Sequence, residues 1–336
     1  MMEEKKPIDR KRESGGYADI GSKEEGAIME MRDIGGRALI IKERAIYEMV
    51  MADTIDPKRT NINLPTTIQK LIIDKGTESE VVSRTLLTAM TLFNKDYIVD
   101  SIDCKKIISL AIDLLSEISI LEKEIKEYQL AEDSASNEYE ERKKQLSSYK
   151  LPSVVSLESK CKTIFQKADH VEQTLMDIIV NFYPNIGLTK QSHFPNLHQK
   201  LKEKYNENDS FVLFIGNAIH FMQVIRELRN GLDHRLDHTK VLDYELQSNG
   251  DIISPTIELQ HKKIKLERTS LHEFLEHTFI NVIDIVELTF AFLAQKNVRE
   301  GGIPHLVREI PEDKRRNKFI RYCFWSPLGQ GGYYNQ

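Results

Sequence analysis

The 336-residue sequence has only three cysteines, Cys104, Cys161 and Cys323, far apart and odd in number. With no Cys-x-x-Cys pair, neither a zinc ribbon nor a disulfide framework is supported, and a reducing, cytoplasmic setting is expected. Positive charge is also short. Lys and Arg total 47 against 52 Asp and Glu, a formal net charge of -5. No global cationic field draws in nucleic acid, so any RNA or DNA contact must come from a local basic patch. Long apolar runs are broken by polar residues, as in Phe279-Ile-Asn-Val-Ile-Asp-Ile-Val-Glu, so no membrane span is expected. The opening Met-Met-Glu-Glu-Lys-Lys has no apolar core behind its charges, and no signal peptide is expected. Gly15-Gly16, Gly35-Gly36 and Gly301-Gly302 lack the Lys-Ser/Thr that a phosphate loop requires. A Gly-x-Ser-x-Gly elbow is missing, and no internal repeat is apparent. No cofactor is expected.

What is present is an ordinary globular composition, 40% hydrophobic and 29% charged, in a chain long enough for two domains. Residues 1–26 are charged and Gly-rich and read as a flexible arm. Its basic residues Lys5, Lys6, Arg10, Lys11 and Arg12 are largely neutralised by Glu3, Glu4, Asp9 and Glu13. Residues 27–150 read as an α-helical N-terminal domain. A helical pattern opens at Gly35-Gly36 and carries Leu39, Ile40, Ala45, Ile46, Met49 and Val50. Thr66 or Thr67 caps a helix with Ile68, Leu71, Ile72 and Ile73. Further helices are expected over 79–93 and 107–130. The polar stretch 131–150 is either a projecting helix or a mobile linker.

Residues 151–298 hold the clearest periodicity. A helix is predicted over 157–182, with Ile164, Phe165, Ala168, Val171, Leu175, Ile178, Ile179 and Phe182 spaced by three and four. A short helix carries Leu197, Leu201 and Tyr205. An apolar helix follows with Phe211, Phe214, Ile215, Ala218, Met222, Ile225 and Leu228. Alternation at 241–246, the turn Ser248-Asn249-Gly250-Asp251 and Ile264-Lys-Leu-Glu suggest a small β-ribbon. Ser270 and Glu273 form a capping box for a last helix ending near Asn297. Residues 299–336 read as an irregular tail, basic through Lys314, Arg315, Arg316, Lys318 and Arg321.

One stretch reads as chemistry: Arg226-Glu-Leu-Arg229-Asn230-Gly231-Leu-Asp233-His234-Arg235. Arg229 is always charged and offers a planar fork of donors suited to phosphate oxygens. His234 has an intrinsic pKa of about 6.5 and can exchange protons near neutrality. Asn230 both donates and accepts. RNA cleavage needs a 2′-hydroxyl deprotonated, a phosphorane stabilised and a leaving 5′-oxygen protonated, and an Arg with a His covers much of this without a metal. Geometry sets a condition. At about 100° per residue, positions 229 and 234 of one unbroken helix point roughly 140° apart. Either a helix ends around Leu228 and another begins with Asn230 as its N-cap, or two protomers combine their motifs across a two-fold axis.

Arg229-Asn230-Gly-Leu-Asp-His234 resembles the Arg-polar-x-x-x-His motif of the HEPN superfamily (higher eukaryotes and prokaryotes nucleotide-binding), and the helices over about 155–297 resemble its setting. That resemblance implies a mostly α fold: a C-terminal HEPN-like four-helix bundle with a small β-hairpin insertion, preceded by the α-helical N-terminal domain. It implies a homodimeric, metal-independent endoribonuclease that leaves 2′,3′-cyclic phosphate ends, in a toxin or antiviral (abortive-infection) setting, with an antitoxin or regulatory protein as a possible partner. Arg229 would stabilise the scissile phosphate, His234 would move protons and Asn230 would orient the site, with Arg226 and Arg235 as further substrate-binding cations.

Each residue also has a plainer reading. Arg229 can pair with Asp233 at i,i+4, Asn230 can simply cap a helix, and His234 can be an interface histidine. The chain would then be a catalytically inactive helical interaction module. His234 and His238, four apart, form a rival metal-binding pair, but the Glu of a zincin helix is missing and no metal is assigned.

Overall fold

The computed structural model describes residues 6–14, 19–34, 37–143, 150–328 and 332–334. Among these, about half are helical and 19% lie in strands. The chain forms two compact units: 1–112 together with 299–336, and 113–298.

The first unit corrects the expected α-helical N-terminal domain. Strands β1 (Ile28–Ile34), β2 (Arg37–Lys42), β3 (Ile46–Met51) and β4 (Thr67–Ile73) make one antiparallel sheet in the order β1-β2-β3-β4. The residues read as two helices are β2 with β3, and β4. Their apolar runs are short and rich in Ile, a pattern that periodicity alone does not assign, and cross-strand pairing decides it. Ile40, Ile41 and Ile46 are fully buried, and Ile40, Ala45 and Tyr47 form a cluster with Ile20 and Met49 beside it. Lys42 is buried too. Its Nζ donates to Ile20 O at 2.8 Å and to Ser22 O at 2.5 Å and pairs with Glu25 at 3.1 Å.

Part of the expected flexible arm is ordered. Helix α1 (Pro7–Glu13) buries Arg12, which donates to Asn61 O at 3.2 Å. Gly15-Gly16 and the Gly35-Gly36 helix start lie outside the described residues. A single-turn helix α2 (Ala52–Ile55) follows β3. The helix expected over 79–93 is present as α3 (Glu80–Val82), a π-helical turn (Ser83–Leu87) and α4 (Thr88–Leu92), with Val82, Leu86 and Met90 buried. In this stretch Thr88 Oγ1 donates to Ser83 O at 2.9 Å. The C-terminal segment is not irregular. It forms a second antiparallel sheet of β10 (Leu306–Glu309), β11 (Tyr322–Ser326) and β12 (Gly332–Tyr334), and Phe324 stacks on Tyr97 at 4.5 Å.

Helix α5 (Cys104–Lys143) runs on as a helix through the polar stretch after 130 as far as Lys143. In the second unit, α6 (Leu157–Phe182) has the predicted bounds, and α7 (Phe194–Lys204) is the predicted short helix. Helix α8 (Ser210–His234) starts where Asp209 Oδ1 accepts from the Phe211 N–H at 2.9 Å, and it buries Phe211, Ile215, Ala218, Met222, Ile225, Leu228 and Leu232. Spacings of three and four put these on one stripe against α6 and α7. Helix α9 (Leu271–Lys296) is capped by Ser270, whose Oγ accepts from the Glu273 N–H at 3.4 Å.

Between α8 and α9 lies more than the expected hairpin. Strands β5 (Thr239–Leu242), β8 (Thr256–His261) and β9 (Ile264–Ser270) form an antiparallel sheet in the order β5-β8-β9. The ribbon β6 (Glu245–Leu246) and β7 (Ile252–Ile253) pairs separately around the predicted Gly250 turn. Ile257 and Leu259 bury one face of β8, and both α8 and α9 pack on this sheet. The mostly α architecture, with a C-terminal four-helix bundle, is therefore corrected to a mixed α/β one in both units.

Among the described residues, α8 and α9 are long and apolar enough to cross a membrane by length and composition, contrary to the expectation from broken runs. Each also buries much of its surface within its own unit, as core helices of soluble proteins do.

Candidate functional site

The motif occupies the last two turns of α8 and the residue after it. The helix does not break at Gly231, so Asn230 is not an N-cap. The carbonyl of Gly231 accepts from the N–H of Arg235 and, at 2.9 Å, from that of Leu236, which closes the helix at His234, six residues beyond Leu228. Gly231 serves packing instead: a Cβ there would stand 2.0 Å from Thr239 Oγ1, because the start of β5 lies directly on the helix. Arg235, the C-terminal cap, takes left-handed torsions (φ 52, ψ 51).

Arg229 is held in place by its own helix. Its Nη1 donates to Asn230 Oδ1 at 3.0 Å, and its Nε lies 3.0 Å from Asp233 Oδ2 without the alignment of a hydrogen bond. Asp233 is shared: Lys162 of α6 reaches its other oxygen at 3.0 Å. Two cations thus flank one carboxylate, leaving a local excess of positive charge in a net acidic chain. Lys162 gave no signal in the sequence, since it lies 71 positions from Asp233 on another helix.

His234 is the last helical residue. It is exposed, and no hydrogen bond or ion pair engages its ring among the described residues. Arg235 is exposed as well. Because α8 is unbroken, Arg229 and His234 of one chain point about 140° apart, and a single chain does not bring them to one substrate atom.

Arg226, expected to bind substrate, is committed elsewhere. It donates to the fully buried Glu172, lies 3.6 Å from the buried Asp169, and has Nη2 2.7 Å from His193 Nδ1. Burial pushes the Glu172 carboxyl up, but the Arg226 guanidinium and the Phe194 N–H at 3.0 Å more than offset it and hold the group below the usual carboxylate range. With Arg226 as donor, His193 Nδ1 is an acceptor, so Arg226 and the amide carry that offset. Arg226 therefore joins α6, α7 and α8, and its guanidinium is not free for a phosphate.

The rival His234/His238 pair does not form a helical metal site, because α8 ends at His234 and His238 lies in the connection to β5. His238 is instead grouped with Glu227 and His261, an arrangement that sequence spacing does not reveal. Cysteine chemistry finds no support. All three cysteines are buried and outside any disulfide, and burial pushes Cys161 up to about 12.

Compared with family models, curated proteins and solved structures, the chain has no match.

Proposed function

We propose that this chain is a metal-independent endoribonuclease of the HEPN type, acting as a homodimer in the cytoplasm as a toxin or antiviral effector. The reading rests on one observation: a guanidinium hydrogen-bonded to Asn230 sits within one and a half turns of an exposed imidazole at the end of an unbroken helix. The divergence of Arg229 and His234 is the reason for a second copy. Two helix ends meeting across a two-fold axis would put Arg229 of one protomer beside His234 of the other.

The chemistry balances without a cofactor. A His234 imidazole takes the proton of the RNA 2′-hydroxyl as that oxygen bonds to phosphorus. The copy of His234, protonated, gives a proton to the 5′-oxygen as the P–O5′ bond breaks, leaving a 2′,3′-cyclic phosphate. Arg229 donates to the non-bridging oxygens as charge builds on them. Asn230 fixes the guanidinium, and Arg235 and Lys162 supply further positive charge for the RNA backbone. A toxin or antiviral role brings with it a partner that restrains the activity.

A second reading is favoured by Asp233. Its ion pair with Arg229 is the ordinary i,i+4 pair of an exposed helix, and the chain would then be a catalytically inactive interaction module. One experiment separates the two. Purified protein, Arg229→Ala and His234→Ala are incubated with total RNA in EDTA. Cleavage by wild type alone supports the nuclease, and equal behaviour of all three supports the module. Mixing wild type with excess His234→Ala tests the composite site: activity should fall further than dilution alone explains if both His234 copies act in one dimer site.

A further inference from the structure

Glu227, His238 and His261 come from three elements: α8, its connection to β5, and the end of β8. Their side chains nevertheless meet. One ligand atom from each lies within 4.8 Å of the other two. His261 Nδ1 lies 2.6 Å from Glu227 Oε2, and the two imidazoles stack at 4.4 Å with 14° between their planes. The backbone holds them there, since the Gln260 N–H donates to His238 O at 2.8 Å.

A hydrogen-bonded Glu–His pair with a second ring stacked on it would explain most of this. It leaves one atom unexplained. Nε2 of His238 is buried and has no hydrogen-bond partner. A buried ring nitrogen left unsatisfied costs stability and calls for a partner. Two neutral imidazoles and one carboxylate are a ligand set for first-row divalent metals, and three protein ligands leave a further coordination position open.

We infer that Glu227, His238 and His261 bind a divalent transition-metal ion, with Zn²⁺ the natural probe. Donors of a tetrahedral ion with bonds of 2.0–2.1 Å stand about 3.3 Å apart, and each imidazole lone pair lies in its ring plane, so the stacked His238 and His261 rings must turn out of their parallel arrangement for both to reach one ion. The ion replaces the Glu227–His261 hydrogen bond and engages His238. It ties α8 to the β5-β8-β9 sheet two residues, about half a turn, before the Arg229–His234 segment. Glu227 and Arg229 are about 200° apart around the helix, so the ion faces away from the guanidinium and holds the scaffold without contacting substrate. The inference does not depend on the nuclease reading.

The test is metal uptake by the full chain after stripping with chelator. Calorimetric titration with Zn²⁺ is run on wild type, Glu227→Gln, His238→Ala and, as a control at an exposed histidine of α9, His277→Ala. The expected result is one saturable site in wild type and His277→Ala, weakened at least about tenfold in the other two. Co²⁺ loading should give the visible bands of a site with nitrogen ligands. Equal binding in all four proteins, or no saturable uptake by wild type, would overturn the inference. Should the ligand variants fail to fold, histidine modification of wild type by diethylpyrocarbonate decides the matter. Zn²⁺ should protect His238 and His261 but not His234 or His277, and unchanged modification of all four would overturn it.

Discussion

Arg226 and Arg229 stand one turn apart on the same helix and have opposite fates. Arg226 points to the buried side, where Glu172, Asp169 and His193 from α6 and the start of α7 surround it. Arg229 points to the open side, where its partners are Asn230 and Asp233 of its own helix. The difference lies in desolvation. A fully buried carboxylate requires a counter-charge, so Arg226 is bound by the fold's need. Asp233 is partly hydrated and shared with Lys162, so its hold on Arg229 is weak. A run of arginines in a motif thus mixes one that builds the site with one that is free to act in it.

The comparison can be broken most sharply on the open side. Arg229→Ala and His234→Ala should each lower single-turnover cleavage of labelled RNA by about 10²–10⁴-fold, with unfolding free energies within about 0.5 kcal/mol of wild type. A large stability loss in either would show that the open side is structural after all. Next comes the buried side. Arg226→Ala strands a buried carboxylate and should cost about 3–5 kcal/mol in urea unfolding.

The pH response carries the sign. In wild type the folded Glu172 lies below its ordinary 4.5, so its contribution is complete above that value and is lost as pH falls through the folded one. Without Arg226, burial dominates and the folded carboxyl rises above its unfolded value. The variant should then lose stability as pH rises from about 5 to 7, where wild type holds level.

Smaller effects sharpen the picture. Arg235→Gly relieves a left-handed backbone at the helix cap and should stabilise by about 1 kcal/mol in thermal unfolding. Asp233→Asn should change stability by less than about 1 kcal/mol and tighten RNA binding in a filter assay by releasing Arg229. Weaker binding would mean that Asp233 orients the guanidinium more than it restrains it.

How much was legible depended on where the determining contacts lie. Helices α6, α8 and α9 are readable because long apolar stripes repeat by three and four, and Ser270 marks the start of α9. The first sheet is not. Leu39-Ile40-Ile41 and Leu71-Ile72-Ile73 are short runs whose partners are set by pairing, such as Ile40 with Tyr47 and Leu71 with Tyr47. The C-terminal sheet failed for the same reason, since a basic, aromatic tail becomes strands only when Arg308 faces Cys323 across the ladder. At the site, Arg229, Asn230 and His234 stood out by residue type, but the engagement of Arg226 depended on Glu172, 54 positions away. The Glu227, His238 and His261 grouping was equally hidden, because only the β5–β8 pairing brings positions 238 and 261 together.

The close seating of Thr239 on Gly231 has a consequence for how this motif is read in variants. Position 231 would reject every side chain whether or not the protein ever meets RNA. In a saturation library selected for toxicity, the column at 231 should be as bare as those at 229 and 234. In a library selected only for soluble protein, 231 should remain bare while 229 and 234 fill. An intolerant glycine between two catalytic candidates therefore says nothing about catalysis, and only the contrast between the two selections isolates the residues that act.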